Sequence, residues 1–98
     1  MRPQDFLLLN VGGDDNIAAS KQILAKQPSS RLAKLVKGPY YDMIDGRIVI
    51  DRDPEVFKMI LNFLRNDRCP GKFKDEYQRD LYCQELHYWQ LVDETFIL

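Results

Sequence analysis

The sequence predicts an α+β fold: one small domain over residues 1–98, with short strands arranged as hairpins and packed with four to five helices. Three stretches carry this prediction. "DFLLLNVGG" is an apolar run that stops at two glycines. "YYDMIDGRIVID" places an Asp-Gly pair ahead of an alternating Arg47, Ile48, Val49 and Ile50. "DPEVFKMILNFLR" opens on helix-starting residues and then repeats apolar side chains at helical spacing.

The elements follow in order. Phe6 to Val11 reads as a strand, closed by a tight turn at Gly12-Gly13. "DDNIAASKQIL" should return as a second strand, although its strand signal is weak. Ser20 can cap a short helix near residues 21–26, which must stop before Pro28, because the residue preceding a proline avoids helical angles. In "PSSRLAKLVKG", Ser29 or Ser30 caps a second helix near 30–37. Leu32, Leu35 and Val36 form its apolar stripe and Gly38 ends it. Asp45-Gly46 suits a type I′ hairpin turn into a strand near 47–51, with Ile48 and Ile50 on one face.

Asp53 then serves as N-cap, Pro54 fits the first helical position, and Glu55 suits the positive end of the helix dipole. Val56, Phe57, Ile60, Leu61 and Leu64 fall on one face of a helix near 54–65. "NDRCPGK" breaks it. "DEYQRDLYCQELHYWQL" supports another helix near 76–87, with Tyr77, Leu81, Cys83 or Gln84, and Tyr88 as its expected buried stripe. A last short helix is expected to begin near Val92 or Asp93. This order of strands and helices implies an α+β domain with a mostly helical core.

Composition narrows the function. Hydrophobic residues make up 45% of the 98 and charged residues 30%, an ordinary globular balance. Fourteen basic and fifteen acidic residues leave a net charge of -1. There is no basic excess to suit nucleic acid or an anionic membrane. The apolar run Phe6 to Leu9 is far shorter than the roughly 20 residues that span a bilayer, and too short for a signal peptide. Two cysteines, Cys69 and Cys83, make no disulfide framework, and the reading is a reduced, intracellular protein.

The candidate catalytic and cofactor sites are weak. "NVGG" lacks the further glycines and the Lys-Ser/Thr of a phosphate loop. Cys83 and His87 lie one helical turn apart, with Cys69 as a conceivable third ligand. Structural zinc needs four ligands, and the chain has no second histidine or third cysteine. A single His with no Gly-flanked nucleophile gives no Cys-His catalysis. Asp51/Asp53 and Asp14/Asp15 lie in turns, where Asp bonds its own backbone. The aromatic residues Tyr88, Trp89 and Phe96 read as core or interface. No catalytic, metal-binding or cofactor-binding residue is expected.

"LLLNVGG", "PSSRLAKLV", "DGRIVIDRDPEVFKMILNFLR" and "ELHYWQL" occur in that order. Together they resemble the potassium-channel tetramerisation domain, a branch of the BTB/POZ fold. The resemblance covers about Phe6 to Phe96. "NVGG" alone is a weak motif; "IDRDP" followed by the apolar helix is a strong one. The sequence departs from the family's aromatic at the position of Asn16 and from its threonine near Ala18, so a remodelled first hairpin is expected. The Cys-Cys pair of the zinc-binding channel subfamilies is also missing, which agrees with the ligand count.

The resemblance implies a non-catalytic, cytoplasmic module for homo-oligomerisation and protein binding. It implies a closed ring, a homotetramer as in voltage-gated potassium channels or a homopentamer as in the soluble KCTD-like proteins. "IDRDP" and "YWQL" are similar to the soluble group, "SRLAKL" and "ELHYW" to the channel group. The KCTD-like branch implies in addition a ubiquitin ligase adaptor with cullin-3 as partner. A further alternative is a stand-alone dominant-inhibitory domain that joins a longer relative's ring. No nucleic acid and no membrane contact by the domain itself is expected. Closed rings use head-to-tail interfaces between two different faces. The expected polar contacts are Asp14 and Asp15 in the early turn, Arg52 and Asp53 at the corner, and Asn62, Arg65 and Asn66 on the long helix. Asp51, Arg52 and Arg65 are read as available for charged contacts within the chain or across a subunit boundary.

Overall fold

A computed structural model describes residues 5–38 and 42–94. The elements run β1 (Phe6–Val11), β2 (Asp14–Ser20), α1 (Lys21–Leu24), α2 (Arg31–Lys37), β3 (Met43–Ile44), β4 (Arg47–Ile50), α3 (Pro54–Asn66) and α4 (Glu76–Trp89). The class is α+β, as the sequence implied.

β1 pairs antiparallel with β2, with Leu9 opposite Ile17, and the register shifts between Leu9 and Val11 ahead of the glycine turn. β2 forms in full despite its weak signal. Leu9 and Val11 of β1 are buried, and buried backbone amides and carbonyls need a partner that only a neighbouring strand supplies here. Ile17 and Ala19 of β2 face the core, whereas Asn16 and Ala18 lie exposed opposite β1. Ala18 pairs regularly with Leu8, but Asn16 falls at the register shift between the Leu9–Ile17 and Val11–Asp14 pairs, so an irregularity lies at one of the two expected positions. In the second hairpin Asp45 and Gly46 have φ of 52° and 77°, the two positive values a type I′ turn requires.

The sequence suggested separate hairpins. The structure joins them into one mixed sheet, ordered β2-β1-β4-β3, through a parallel pairing of Leu9, Asn10 and Val11 with Ile48, Val49 and Ile50. Parallel strands need a crossover, and α1 with α2 supplies it.

Each helix start is capped as its residues dictate. Ser20 Oγ accepts from the Ile23 amide and Ser30 Oγ from the Ala33 amide, both at 3.1 Å. Asp53 Oδ1 accepts from Glu55 and Val56 at 2.9 and 3.2 Å. Asp75 caps α4 through the Gln78 amide. α1 ends at Leu24, earlier than expected, and α4 runs on to Trp89.

Leu9, Val11, Ile17, Ile48 and Ile50 of the sheet pack on Phe57, Ile60, Leu61 and Leu64 of α3. The stripe expected on α4 is corrected. Tyr77 is 71% exposed, Gln84 is exposed, and Leu81 and Cys83 are half-buried. The buried side chains are Tyr82, Glu85, Leu86 and Trp89. The face was misjudged because it carries a carboxylate, which belongs inside only when paired. Leu91 to Asp93 are irregular and Glu94 lies in a turn. The remainder of the expected last helix, with Phe96, lies outside the described residues. Among the described residues no helix is long and apolar enough to cross a membrane.

Candidate functional site

The corner between β4 and α3 is where the two sequence motifs meet. Gly12, at φ +56°, donates its amide to the Ile50 carbonyl at 2.8 Å. A Cβ at Gly12 would lie 2.4 Å from the Arg52 carbonyl oxygen, so only glycine lets the β1–β2 turn rest on the corner. Gly13 donates to Asn10 Oδ1 at 3.0 Å. Both glycine amides are therefore engaged within the chain, and the turn offers no phosphate cradle.

Arg52 leaves the corner and reaches α4. Its Nη2 donates to Glu85 Oε1 at 2.7 Å, and its Nε sits 3.1 and 3.3 Å from the two carboxylate oxygens. Glu85 is only 3% exposed. Its second oxygen accepts from Trp89 Nε1 at 3.0 Å. The buried carboxylate thus has a cation and a neutral donor, which is what makes its burial tolerable. The Glu85 carboxylate in turn raises the Arg52 pKa further. The Arg52 guanidinium lies 3.9 Å from the Tyr88 ring centroid, and that of Arg31 4.6 Å from the same ring. Sequence reading offered Arg52 for a contact within the chain or beyond it; the structure gives it this internal one. Glu85 was missed. The signal that could have found it is the Glu85–Trp89 spacing of one helical turn.

The seven predicted contact residues divide into two groups. Asp14, Asp15, Arg52 and Asp53 gather where the glycine turn touches the corner. Asp14 Oδ2 pairs with Lys58 Nζ at 2.9 Å, which ties the turn to the first half of α3. Lys58 lowers the Asp14 pKa, and the Asn16 amide, donating to Oδ1 at 3.0 Å, lowers it further. Asp53 is engaged as a cap. Asn62, Arg65 and Asn66 lie exposed at the other end of α3, with Arg65 donating to Asn62 Oδ1 and Asn66 to the Asn62 carbonyl. A helix rises about 1.5 Å per residue, so the groups sit roughly 15–20 Å apart.

The reactive side chains do not converge. Cys69 is half-buried beside the Pro70 carbonyl, Cys83 is half-buried on α4, and His87 is exposed. No group of three or more His, Cys, Asp or Glu side chains that could hold a metal occurs among the described residues. Tyr82 donates to Asp93 Oδ2 at 2.9 Å, and burial first, then this bond, raises its pKa strongly.

The BTB/POZ domain family matches this chain over residues 7–97. The chain belongs to the BTB/POZ family. It is of the potassium-channel tetramerisation type. It is 40% identical to the mouse potassium channel regulatory protein over 100 residues, which covers 95% of this chain and 36% of the relative. The human potassium channel regulatory protein is 38% identical, with 95% of this chain and 35% of the relative covered. Rat SH3KBP1-binding protein 1 is 45% identical over 65 residues, 64% of this chain and 9% of that protein. The chain spans about a third of the length of the first two. As a BTB/POZ domain it is a non-catalytic module for protein interaction and self-association. The polar network at the corner joins elements of the fold: Arg52 to Glu85 and Asp14 to Lys58.

Proposed function

We propose that this BTB/POZ domain assembles head to tail with copies of itself into a closed ring in the cytoplasm, a tetramer or a pentamer. Beyond family membership, the observation that carries this reading is the uncovered outer side of β1. Phe6 and Leu8 alternate with the inward Leu7 and Leu9, and 39% and 48% of their surfaces remain exposed. Ile44, at 57%, adds to the exposed apolar surface on the β3–β4 hairpin. A chain of this size buries a modest core, and covering such side chains against a neighbour adds apolar burial. Around them the polar contacts are Asp14, Asp15, Arg52 and Asp53 at one end of α3 and Asn62, Arg65 and Asn66 at the other. These residues fix register more than they add affinity.

Light scattering coupled to size-exclusion chromatography, across protein concentration and salt, tests the proposal. Assembly that weakens as salt rises is expected, because screening shortens the reach of surface charges to about 3 Å at 1 M. A monomer at tens of micromolar in low salt would overturn it. A tetramer supports the channel-like branch and a pentamer the KCTD-like adaptor branch, in which cullin-3 is the partner to assay. A second reading rests on the similarity to the mouse and human potassium channel regulatory proteins. It has this domain enter the ring of a channel subunit and inhibit it. Co-purification with a channel's cytoplasmic assembly domain, in place of self-assembly, is the outcome that would favour it.

A further inference from the structure

α2, the end of α4 and the sheet leave a hollow of about 470 Å³ between them, within the roughly 300–1,000 Å³ of ordinary ligand pockets. One wall is α2. Arg31, Lys34 and Leu35 follow at positions i, i+3 and i+4, so all three share the helix face that lines it. A second wall is the strand β4 with its neighbour. The Val49 amide donates to the Asp42 carbonyl at 2.9 Å, and Asp51 lies two residues beyond Val49, so two carboxylates flank Val49 on this wall. Tyr88 and the buried Trp89 complete the lining from α4.

The charges here are arranged differently from those at the corner. Arg52 and Glu85 satisfy each other there. In the hollow, Arg31, Lys34, Asp42 and Asp51 are all exposed, and none of the four forms an ion pair among the described residues. The two signs balance over the hollow as a whole, yet each charge stands apart from its opposite. A ligand that presents a carboxylate to α2 and a cation to the strand therefore gains charged contacts at both ends and breaks no ion pair. Arg31 is already restrained, since its guanidinium lies 4.6 Å from the Tyr88 ring centroid, and a restrained side chain loses less freedom on binding. Leu35 and Val49, both half-buried, offer apolar surface between the two charged walls.

We propose that this hollow docks a short extended segment of a different protein, one that carries an acidic and a basic side chain on either side of an apolar one. The acidic residue faces Arg31 and Lys34, the basic residue faces Asp42 and Asp51, and the apolar residue covers Leu35 and Val49. A cube of 470 Å³ is about 8 Å on edge, and an extended chain rises ~3.3 Å per residue, so the two charged residues stand about two or three positions apart. A polypeptide is the fitting occupant for a domain whose family role is protein interaction. Opposite charges at the two walls fix the register of the segment and reject one of a single charge sign. The site needs no second copy of this chain, so it stands apart from the proposed ring.

Selection of random octapeptides displayed on phage against the immobilised whole chain tests it. Enriched sequences should carry the acidic, apolar and basic residues at that spacing. The best of them, synthesised, is then titrated against the protein while the fluorescence of Trp89, the one tryptophan, is read. Arg31→Glu with Lys34→Glu, both at exposed positions, should weaken its binding about 100-fold, because like charges then meet. The same peptide with its acidic residue replaced by Lys should bind that variant more tightly than it binds the wild type. Should the variant not fold, Asp42→Lys with Asp51→Lys makes the same test from the other wall, with a peptide whose basic residue is replaced by Glu. No enrichment over background, enriched peptides of a single charge sign, or binding that a folded variant leaves unchanged would each overturn the proposal. Light scattering on the same samples reads assembly separately, so a chain that forms no ring leaves this test intact.

Discussion

α3 and α4 have nearly the same length, 13 and 14 residues, yet the fold holds them by different means. The buried face of α3 is wholly apolar: Val56, Phe57, Ile60, Leu61, Phe63 and Leu64. Its ion pair, Lys58 to Asp14, lies on the outside. The buried face of α4 mixes Leu86 and Trp89 with Glu85 and the Tyr82 hydroxyl. Its ion pair, Glu85 to Arg52, lies within. The first helix is held by non-directional burial, which tolerates small shifts. The second is held by directed bonds to one residue of the corner and one of the segment that follows it.

The largest effect should come from leaving the α4 carboxylate without its cation. Arg52→Leu strands Glu85, and breaking a buried pair from one side costs about 3–5 kcal/mol. Replacing both members, Arg52→Leu with Glu85→Leu, should cost less than the single change, since no buried charge remains. Urea denaturation of the wild type, the single and the double variant measures this. A single variant within 1 kcal/mol of wild type, by the same standard for buried pairs, would show that α4 is docked by its apolar residues alone.

Leu61→Ala probes α3 in the same assay. Leu61 is 2% exposed in the middle of the apolar face, and its truncation should cost about 2–5 kcal/mol through lost transfer energy and a cavity. A variant that melts like the wild type would contradict that packing.

The same contrast explains what could be read in the sequence. α3 was legible in its bounds and in all but one of its core residues, Phe63, because apolar side chains recur at helical spacing and Asp53-Pro54 marks the start. The cap at Asp53, the Asp45-Gly46 turn and the end at Gly38 were equally legible, and the α2 cap was narrowed to Ser29 or Ser30, because each is set by residues within four positions. α4 was legible as a helix but not in its facing. Its buried face holds Glu85, whose partner Arg52 lies 33 residues earlier, and no local pattern signals that pairing. The parallel β1–β4 pairing is likewise a long-range fact. It places the glycine turn on the corner and so gathers the acidic residues there. Of the seven predicted contact residues, the sequence could give their polarity but not the partial burial of Asp14 and Arg52, nor their division between the two ends of α3.

Tyr82→Phe tests the second polar tie of α4 and should have an intermediate effect. The change removes one donor to Asp93 and leaves the ring in place against Phe73, 5.4 Å away between centroids. A buried acceptor that loses its donor costs about 1–3 kcal/mol. Hydrogen exchange at Leu91 to Asp93 should rise in this variant more than exchange within α3. Equal rises in both places would mean that the hydroxyl stabilises the whole domain and not the end of α4.

The smallest effect belongs to the exposed pair of α3. Asp14 has a lowered pKa in the folded chain, chiefly through its bond to Lys58 and then through the Asn16 amide. A carboxyl with a depressed folded value binds protons more readily when unfolded. Its contribution is therefore present above the ordinary aspartate value of 3.8 and is lost as pH falls through the lower folded value. Asp14→Asn should leave stability flat from pH 7 down to about 5, because both states of the wild-type carboxyl are ionised there. Below about pH 4 the gap between wild type and variant should close, since the wild type loses what the variant never had. Half-molar salt should shrink the gap at neutral pH by screening an exposed pair. The Arg52–Glu85 pair, whose carboxylate is buried, should respond less to the same salt. Thermal melts of Asp14→Asn and of Arg52→Leu in low and high salt would compare the two pairs directly. An equal salt response would show that the buried position of Glu85 does not set how α4 is held.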